Sequence, residues 1–457
     1  MTIPAAFNKH MAGAPGWQEA GFCAIHASGE QVQSIRLNPQ KVEDPANLSF
    51  PDRVQVPWSA FGYYLPVRPK YTLDPFLHAG AYYVQEASSM LLEQAILQLL
   101  PQRNGLRVLD LCAAPGGKST HLRSLLPDDS VLVSNEVIKS RVSVLEENLV
   151  KWGNSNQVIT CNDPRDFSKT DLLFDLIVVD APCSGSGLFR RDPKAMNEWS
   201  EELVDLCSQR QQRILSDIWP CLKENGWLIY STCSYSMQED EQVVDWMLST
   251  YDTVAAPLQL EAGWNIVESL SPVKKGYGYR LYPNLLQGEG FFLSAFRKQQ
   301  ATEKKANRKN RIKLEKASKQ QAQDGQEWLE PGLSAFYMLN DTMVGMSGPV
   351  LSVVEALSPL YIRRAGVTMG KWAGRQLLPD HALALSLDLG KKIPRVELPA
   401  STALQFLRKE EIHMDGARQG WNLAAYKGLG LGWLKVLPNR SNNYYPKDWR
   451  ILMQSDR

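Results

Sequence analysis

A glycine turn between an apolar strand and a helix constrains the fold of this chain more than any other segment. Residues 107–111 form a short apolar run typical of a buried strand, and residues 119–126 are typical of a helix. Glycine lets the backbone approach a ligand closely because it has no side chain. The ligand-binding turn is therefore predicted to comprise Cys112, Ala113, Ala114, Pro115, Gly116, Gly117 and Lys118.

Two binding chemistries fit this turn. The P-loop pattern G-x-x-x-x-G-K-[ST] matches it except that Cys112 stands where the first glycine is required. The alternative is the first loop of a nucleoside-binding, doubly wound domain, which need not hold a phosphate. A tight turn that binds no ligand is the third interpretation.

Strand and helix patterns alternate after residue 107, which predicts a mostly parallel sheet with helices on both faces. Strands are expected near 107–111, 130–135, 156–161, 174–180, 227–232 and 290–297, and helices near 117–126, 138–152, 198–222 and 237–249. In such sheets the ligand lies at the carboxyl ends of the strands. The polar residues at those ends are Glu136, Asp163, Asp180 and Cys233.

Two of these residues indicate a nucleoside. Glu136 follows the second predicted strand, where a carboxylate commonly accepts hydrogen bonds from both ribose hydroxyls. Asp163 follows the third strand, where it could accept from an adenine amino group. A P-loop protein has no need of Glu136.

Two thiols follow the next two strands. Asp180 ends the fourth strand and would also fit a Walker B strand, but Cys183 comes three residues later and Cys233 follows the fifth strand. Because the carboxyl ends of neighbouring parallel strands meet at one edge, we expect the two thiols in one pocket. Cysteines that merely pack in the core are the alternative.

Three motifs, in their order and spacing, resemble those of the Sun/Fmu-type (Nol/Nop/Sun) RNA cytosine-5 methyltransferases. They are CAAPGGK at 112–118, DAPCSG at 180–185 and STCS at 231–234. The C-terminal tail further resembles the bacterial RsmF type, which methylates small-subunit ribosomal RNA. The resemblance implies an α/β, Rossmann-like core that binds S-adenosyl-L-methionine, a small N-terminal domain and a C-terminal PUA-like α/β domain.

The resemblance also implies site residues. The cofactor would be bound by residues 112–118, Glu136, Asp163 and Asp180. Cys233 would attack as the thiolate, Cys183 would assist release of the product, and Asp180 would hold the cytosine edge. Lys118 is expected to lower the pKa of a nearby thiol. RNA contact, with a solvated basic turn as the alternative, is predicted for Arg190, Arg191 and Lys194.

Charge and composition suggest four segments. Residues 297–319 contain ten Lys or Arg against two Glu, whereas the whole chain has a net charge of +1. This run is predicted to be a linker or solvated helix that contacts phosphate.

Aromatic and basic residues near the N-terminus, among them Trp58, either stack on bases or pack inside a small domain. The predicted segments are an N-terminal RNA-binding or accessory domain (1–75), a methyltransferase domain (76–298), a basic linker (299–326) and a C-terminal RNA-binding region (327–457).

Other sequence features suggest the compartment. No stretch approaches eighteen uninterrupted apolar residues, and the N-terminus lacks the pattern of a signal peptide. Seven dispersed cysteines without a C-x-x-C pair favour neither a disulfide framework nor a zinc site. We therefore expect a cytoplasmic monomer that binds RNA and neither a metal nor a membrane.

The predicted function is transfer of a methyl group from S-adenosyl-L-methionine to carbon 5 of cytosine in RNA, through a covalent adduct between cysteine and carbon 6. Small-subunit (16S) ribosomal RNA, free or within the assembled subunit, is the expected substrate, and transfer RNA is the alternative. A non-catalytic RNA-binding ribosome assembly factor and a P-loop NTPase are the competing functions from other classes.

Overall fold

Alternating apolar side chains place the central sheet between two hydrophobic layers. In a computed structural model, residues 3–102, 104–301, 314–339, 341–374, 376–412 and 417–453 are described. Strand residues point to opposite faces in turn, so Val108 packs in one core and Leu109 in the other. The same division holds for Leu176 and Ile177. Near-continuous apolar strands buried on both faces are typical of parallel sheets.

The first thirteen strands occupy the N-terminal two thirds of the chain. They are β1 (Gln33–Leu37), β2 (Val54–Gln55), β3 (Gly62–Leu65), β4 (Tyr82–Tyr83), β5 (Arg107–Asp110), β6 (Val131–Asn135), β7 (Gln157–Thr160), β8 (Phe174–Asp180), β9 (Leu222–Thr232), β10 (Thr253–Ala255), β11 (Val267–Leu270), β12 (Tyr277–Leu281) and β13 (Phe291–Lys298).

Ten further strands follow. They are β14 (Glu315–Lys316), β15 (Ala335–Leu339), β16 (Thr342–Met346), β17 (Ile362–Ala365), β18 (Val367–Ala373), β19 (Gln376–Pro379), β20 (Arg395–Glu397), β21 (Gly420–Tyr426), β22 (Leu429–Leu437) and β23 (Arg440–Asn443).

The helices are α1 (Ala5–Met11), α2 (Glu19–Ser28), α3 (Pro75–His78), α4 (Leu92–Leu99), α5 (Gly117–Leu125), α6 (Lys139–Trp152), α7 (Pro193–Glu198), α8 (Glu201–Ile218), α9 (Glu241–Thr250), α10 (Lys319–Gln326), α11 (Gly348–Ala356), α12 (His381–Leu385) and α13 (Ala400–Leu407).

The central sheet has the order β11-β12-β13-β9-β8-β5-β6-β7-β17, with β10 paired to β13. Strands β5 to β9 run parallel, and β13 pairs antiparallel with β9. Helices α8, α9 and α11 contribute to one core, and α4 and α5 to the other. The predicted α/β core with helices on both faces is therefore confirmed. The predicted helix at 198–222 is shorter, because Ser200 caps α8 through the backbone N–H of Leu203 and a short 3-10 turn replaces its end.

The chain order of the strands reverses beside β5. From β5 the chain adds β6 and β7 on one side, and it then returns to add β8 and β9 on the other. A crevice forms at the carboxyl ends of the strands where such a reversal occurs. Asp110 ends β5 and Asp180 ends β8, so both residues border this crevice.

The N-terminal segment forms a four-stranded antiparallel sheet of order β2-β3-β1-β4. Trp58 is buried, and its indole N–H donates to the carbonyl of Ala87 at 2.8 Å. Tyr63 and Tyr71 are half-buried against the apolar core of this sheet. The sequence left open whether these aromatic residues stack on RNA bases or pack inside a small domain. Trp58 packs inside the domain.

The C-terminal segment is not separate from the central sheet. Strand β17 pairs antiparallel with β7 at the sheet edge, and buried residues of α11 such as Val353 lie in the same core as Leu109. The remaining strands form two sheets, β14-β15-β16-β18-β19 and β20-β21-β22-β23. The predicted segment boundary at 326/327 therefore does not separate two independently packed cores.

In the last sheet, β21 and β22 flank a turn at Gly428, which has φ of +80°. Of the predicted basic linker, residues 302–313 lie outside the described residues. No helix in the described part of the chain is long and apolar enough to cross a membrane.

Candidate active site

A cavity of about 340 Å³ lies at the carboxyl ends of β5, β8 and β9. It brings together parts of the glycine turn, Lys118, Asp180 and Cys233. Glu289, Gly290 and Phe291 line another part of it. The N-terminal segment completes the wall with Tyr83, Val84, Gln85, Glu86 and Ser89.

The glycine turn has the backbone geometry that its sequence predicted. Gly116 precedes α5 with φ of +113°, a conformation that side chains rarely adopt. A Cβ on Gly116 would also lie 3.3 Å from the Cβ of Asn148. The turn is anchored by the N–H of Ala113, which donates to the carbonyl of Asn135 at 2.8 Å. Burial raises the pKa of the Cys112 thiol well above its usual value, so this cysteine is protonated where it lines the cavity.

Asp110 is a buried acid directly beneath the turn. Its Oδ2 accepts a hydrogen bond from the Ser119 hydroxyl at 2.6 Å, while its Oδ1 has no hydrogen-bond partner among the described residues. The pKa of Asp110 is raised to about 7, first by burial and to a smaller extent by the neighbouring acids Asp180 and Glu136. An unpaired buried oxygen is the kind of group that a bound ligand satisfies.

Glu136 and Asp163 differ in their availability to a ligand. The buried carboxylate of Glu136 accepts from the backbone N–H of Ile138 at 2.9 Å and lies 3.5 Å from Arg141. Asp163 caps a short 3-10 turn through the N–H of Arg165 and lies 3.5 Å from Arg213. Neither residue lines the cavity that holds Cys233. Glu136 lies in the loop after β6, close to the glycine turn, whereas the Asp163 carboxylate already accepts a hydrogen bond within its own turn.

The two predicted thiols meet. The Sγ atoms of Cys183 and Cys233 are 3.0 Å apart, and both cysteines are free. The hydrogen bond to Cys233, followed by burial, raises the pKa of Cys183 well above its usual value. A glycine allows the two loops to approach: the Gly187 N–H donates to the Cys233 carbonyl at 2.6 Å, and a Cβ there would lie 2.3 Å from that oxygen.

Lys118 and Asp180 form an ion pair at the cavity wall. The Nζ of Lys118 lies 2.8 Å from Oδ2 of Asp180 and 4.9 Å from the centre of the Phe291 ring. The other carboxylate oxygen of Asp180 accepts from the Ser231 hydroxyl at 2.9 Å. The expected lowering of a thiol pKa by Lys118 is not seen at Cys183, whose pKa is raised by the hydrogen bond to Cys233 and by burial.

The three predicted RNA-binding residues are not equivalent. Arg190 is 4% exposed, lies 3.6 Å from Glu289 and donates to the Glu30 carbonyl at 2.7 Å. Its burial leaves it no access to an RNA phosphate. Arg191 and Lys194 are exposed, and Arg191 also lines the cavity. The basic surface beside the cavity therefore depends on Arg191 and Lys194.

Besides Asp110, sequence reasoning missed two further buried acids. Glu289 is 3% exposed, lines the cavity and has a pKa raised to about 7 by burial. Glu239 is fully buried behind the two cysteines and accepts from serines of both cysteine loops. The only sequence signal for Glu239 was a run of three acids, 239–241, which is ordinarily typical of a solvated first helical turn.

Three family models match this chain. The model described as 16S rRNA methyltransferase RsmB/F matches residues 96–297. The N-terminal domain of 16S rRNA methyltransferase RsmF matches residues 3–87, and the methyltransferase RsmF PUA domain matches residues 393–451. The matched ranges thus include the N-terminal sheet, the parallel strands around the cavity and the last sheet.

Similar proteins carry the same description. The ribosomal RNA small subunit methyltransferase F of Vibrio cholerae serotype O1 is 30% identical over 410 residues, which cover 86% of this chain and 85% of that protein. The protein of that name from Shewanella piezotolerans is 28% identical over 405 residues, covering 86% and 84%. These alignments extend well beyond the residues around the cavity.

Two solved structures share the fold. A methyltransferase homolog protein from Pyrococcus horikoshii is 27% identical, with a TM-score of 0.54 over 64% of this chain and 94% of that chain. NSun6 from Pyrococcus horikoshii is 19% identical, with a TM-score of 0.53 over 65% and 98%, and shows the fold alone. The core is therefore the predicted Rossmann-like methyltransferase fold, and the P-loop NTPase interpretation is wrong. The chain belongs to the RsmF family of ribosomal RNA small subunit methyltransferases.

Proposed function

We propose that this protein transfers a methyl group from S-adenosyl-L-methionine to carbon 5 of a cytosine in small-subunit ribosomal RNA, through a covalent cysteine adduct. The observation that carries the proposal is the meeting of two thiols beside an acid–lysine pair. Cys183 and Cys233 lie 3.0 Å apart, and the cavity that Cys233 lines also contains the ion pair of Asp180 and Lys118. The names of the similar proteins support the ribosomal substrate.

The cofactor would occupy the crevice beside the glycine turn. Its ribose hydroxyls would find an acceptor in the buried carboxylate of Glu136, and the unpaired Oδ1 of Asp110 offers a second acceptor for a donor group. Gly117 lines the cavity and leaves the backbone bare where the cofactor would pass. When bound, the sulfonium supplies an electrophilic methyl group.

Carbon 5 of cytosine is a poor nucleophile, and the thiol of Cys233 overcomes this. Its thiolate adds to carbon 6, the carbon 5–carbon 6 double bond opens, and the electron pair makes carbon 5 nucleophilic. After methyl transfer, removal of the carbon 5 proton re-forms the double bond and breaks the bond between Sγ and carbon 6. Covalent catalysis thus divides one difficult displacement into easier steps.

The neighbouring groups have separate tasks in this proposal. Asp180 accepts hydrogen bonds at the cytosine edge and stabilises the protonated ring of the adduct, and Lys118 keeps Asp180 oriented. Cys183 assists release of the product. Its raised pKa keeps it protonated beside Cys233 in the resting enzyme, so the two thiols do not compete as thiolates.

The target cytosine must leave its stack to enter a cavity at the end of a sheet. Single-stranded or loop RNA meets that requirement most easily. Arg191 is exposed and lines the cavity, and Lys194 is exposed three residues later; both would contact the phosphates that flank the flipped nucleotide.

The direct test is methylation of three RNAs by the purified protein with labelled S-adenosyl-L-methionine: free 16S ribosomal RNA, assembled small subunits and transfer RNA. We expect label in a ribosomal substrate, recovered as 5-methylcytosine by mass spectrometry of nucleosides and located by bisulfite sequencing. Label found only in transfer RNA would overturn the proposed substrate. Label found in adenine, guanine or ribose would overturn the proposed chemistry.

A further inference from the structure

We infer that Glu239 is a positioning residue that fixes the distance between the two active-site thiols by tying their loops together. The inference deepens the proposed function, because it concerns the same reaction. Glu239 does not line the cavity. In the described part of the chain it makes no hydrogen bond to a predicted cofactor-binding residue or to either cysteine sulfur. It would act through the loops alone.

The carboxylate accepts four hydrogen bonds. Its Oε1 accepts from the backbone N–H of Ser184 at 2.8 Å and from the side-chain amide of Gln211 at 3.0 Å. Its Oε2 accepts from the hydroxyl of Ser184 at 2.5 Å and from the hydroxyl of Ser234 at 2.6 Å. Two donors therefore fill each oxygen, which is near the capacity of a carboxylate.

Three of these four donors belong to residues next to the thiols. Ser184 follows Cys183 and Ser234 follows Cys233, so a single carboxylate binds both cysteine loops one residue beyond each sulfur. The regular parallel pairing of β8 and β9 ends at Asp180 and Ser231, and beyond it the Gly187 N–H still donates to the Cys233 carbonyl. The carboxylate adds a side-chain connection between the loops, at the residues that directly follow the two sulfurs.

The carboxylate is itself held rigidly. Glu239 is fully buried, its backbone carbonyl accepts from the Tyr230 hydroxyl at 2.5 Å, and its N–H donates to the Ser236 carbonyl at 3.0 Å. The next two acids, Asp240 and Glu241, both form ion pairs with Arg280. Misplacement of reacting groups by about 1 Å can cost 100-fold in rate, so loss of this tie would reduce turnover more than binding.

The test compares Glu239→Ala with Glu239→Gln. The amide keeps one acceptor for the Ser184 and Gln211 N–H groups, and its NH₂ group can donate to the two serine hydroxyls, which rotate to accept. We expect Glu239→Ala to lower kcat about 100-fold while the Kd for S-adenosyl-L-methionine and the KM for RNA change less than threefold. Glu239→Gln should restore kcat to within tenfold of wild type. Asp245→Asn, which alters a half-buried acid of α9 whose carboxylate accepts from the backbone N–H groups of Val273 and Lys274, should leave kcat unchanged.

A second readout does not require RNA. Diamide removes one hydrogen from each of two adjacent thiols, forming a disulfide and the corresponding hydrazine, so the rate of cross-linking reports how closely Cys183 and Cys233 approach. We expect Glu239→Ala to slow this cross-link at least tenfold, as measured by peptide mass spectrometry, and Glu239→Gln to restore it. Ser184→Ala and Ser234→Ala, which each remove one tie, should slow it by less.

The two readouts separate the inference from the proposed function. If wild type forms the cross-link but methylates no cytosine, the proposed function fails and the cross-link still tests Glu239. The inference is overturned if Glu239→Ala cross-links and turns over at wild-type rates. It is also overturned if cofactor affinity falls in proportion to kcat, or if Glu239→Gln is as impaired as Glu239→Ala, since either result would indicate a general structural role.

Discussion

The Sγ atoms of Cys183 and Cys233 lie 3.0 Å apart although 50 residues separate the two cysteines in the chain. The contact arises because β8 and β9 are parallel neighbours whose loops leave the sheet at the same edge. Two thiols at this distance can act on one substrate atom and exchange a proton. The relationship favours a shared catalytic task over independent packing.

Replacement of Glu136 by Ala should weaken binding of S-adenosyl-L-methionine by about 1–3 kcal/mol, the cost of leaving buried hydroxyls unpaired. Isothermal titration calorimetry measures this directly. Asp163→Ala is the matched comparison: its carboxylate is committed to Arg165 and Arg213, so we expect a smaller loss. Equal affinity of wild type and Glu136→Ala would contradict the proposed ribose contact.

Stability should depend on pH through Asp110. Burial raises the pKa of this acid from 3.8 to about 7 in the folded protein, so the folded state holds a proton that the unfolded state has lost. Its contribution to stability is therefore complete below about pH 4, falls as the pH rises to about 7 and is constant above that. The slope is up to about 1.4 kcal/mol per pH unit.

Urea unfolding of wild type and Asp110→Asn at pH 5 and pH 8 checks this pH dependence. The advantage of wild type over the variant should be larger at pH 5 than at pH 8, because Asn cannot titrate. A difference that stays constant between the two pH values, or that grows with pH, would show that Asp110 is not protonated in the folded protein.

Leu357 should stabilise the methyltransferase core although it lies far beyond β13 in sequence. It is fully buried in the same cluster as Leu109 and Val133. Leu357→Ala should cost about 2–5 kcal/mol of unfolding free energy, measured by denaturant titration. Replacement of the exposed Leu378 by Ala, outside this core, should cost much less. Truncation near residue 325 should likewise destabilise the core, so we do not expect it to leave cofactor binding intact.

The sequence predicted the central sheet well because each strand is marked by residues within the strand itself. Apolar runs ended by polar residues mark β5 to β9, and the parallel arrangement then brings their ends together. Cys112 to Lys118, Asp180 and Cys233 could be placed at one site by this rule alone. The motif order identified the family for the same reason.

Features that depend on distant packing could not be predicted in this way. Nothing in the sequence near Ile362 indicates that β17 adds to the edge strand β7, because strand pairing is set by tertiary contact. The burial of Arg190 follows from its pairing with Glu289, about a hundred residues later. Glu239 resembles a solvated helix start until the serines that surround it are brought together by folding.

The central claim is that Cys233 attacks the base and Cys183 assists release. The measurement is denaturing gel electrophoresis of labelled substrate RNA after incubation with S-adenosyl-L-methionine and wild type, Cys183→Ala or Cys233→Ala. We predict a stable protein–RNA adduct with Cys183→Ala, which methylates and then fails to release. We predict no adduct and no methylation with Cys233→Ala. An adduct trapped by Cys233→Ala and absent from Cys183→Ala would reverse the roles, and turnover by both variants without any adduct would contradict the thiol mechanism.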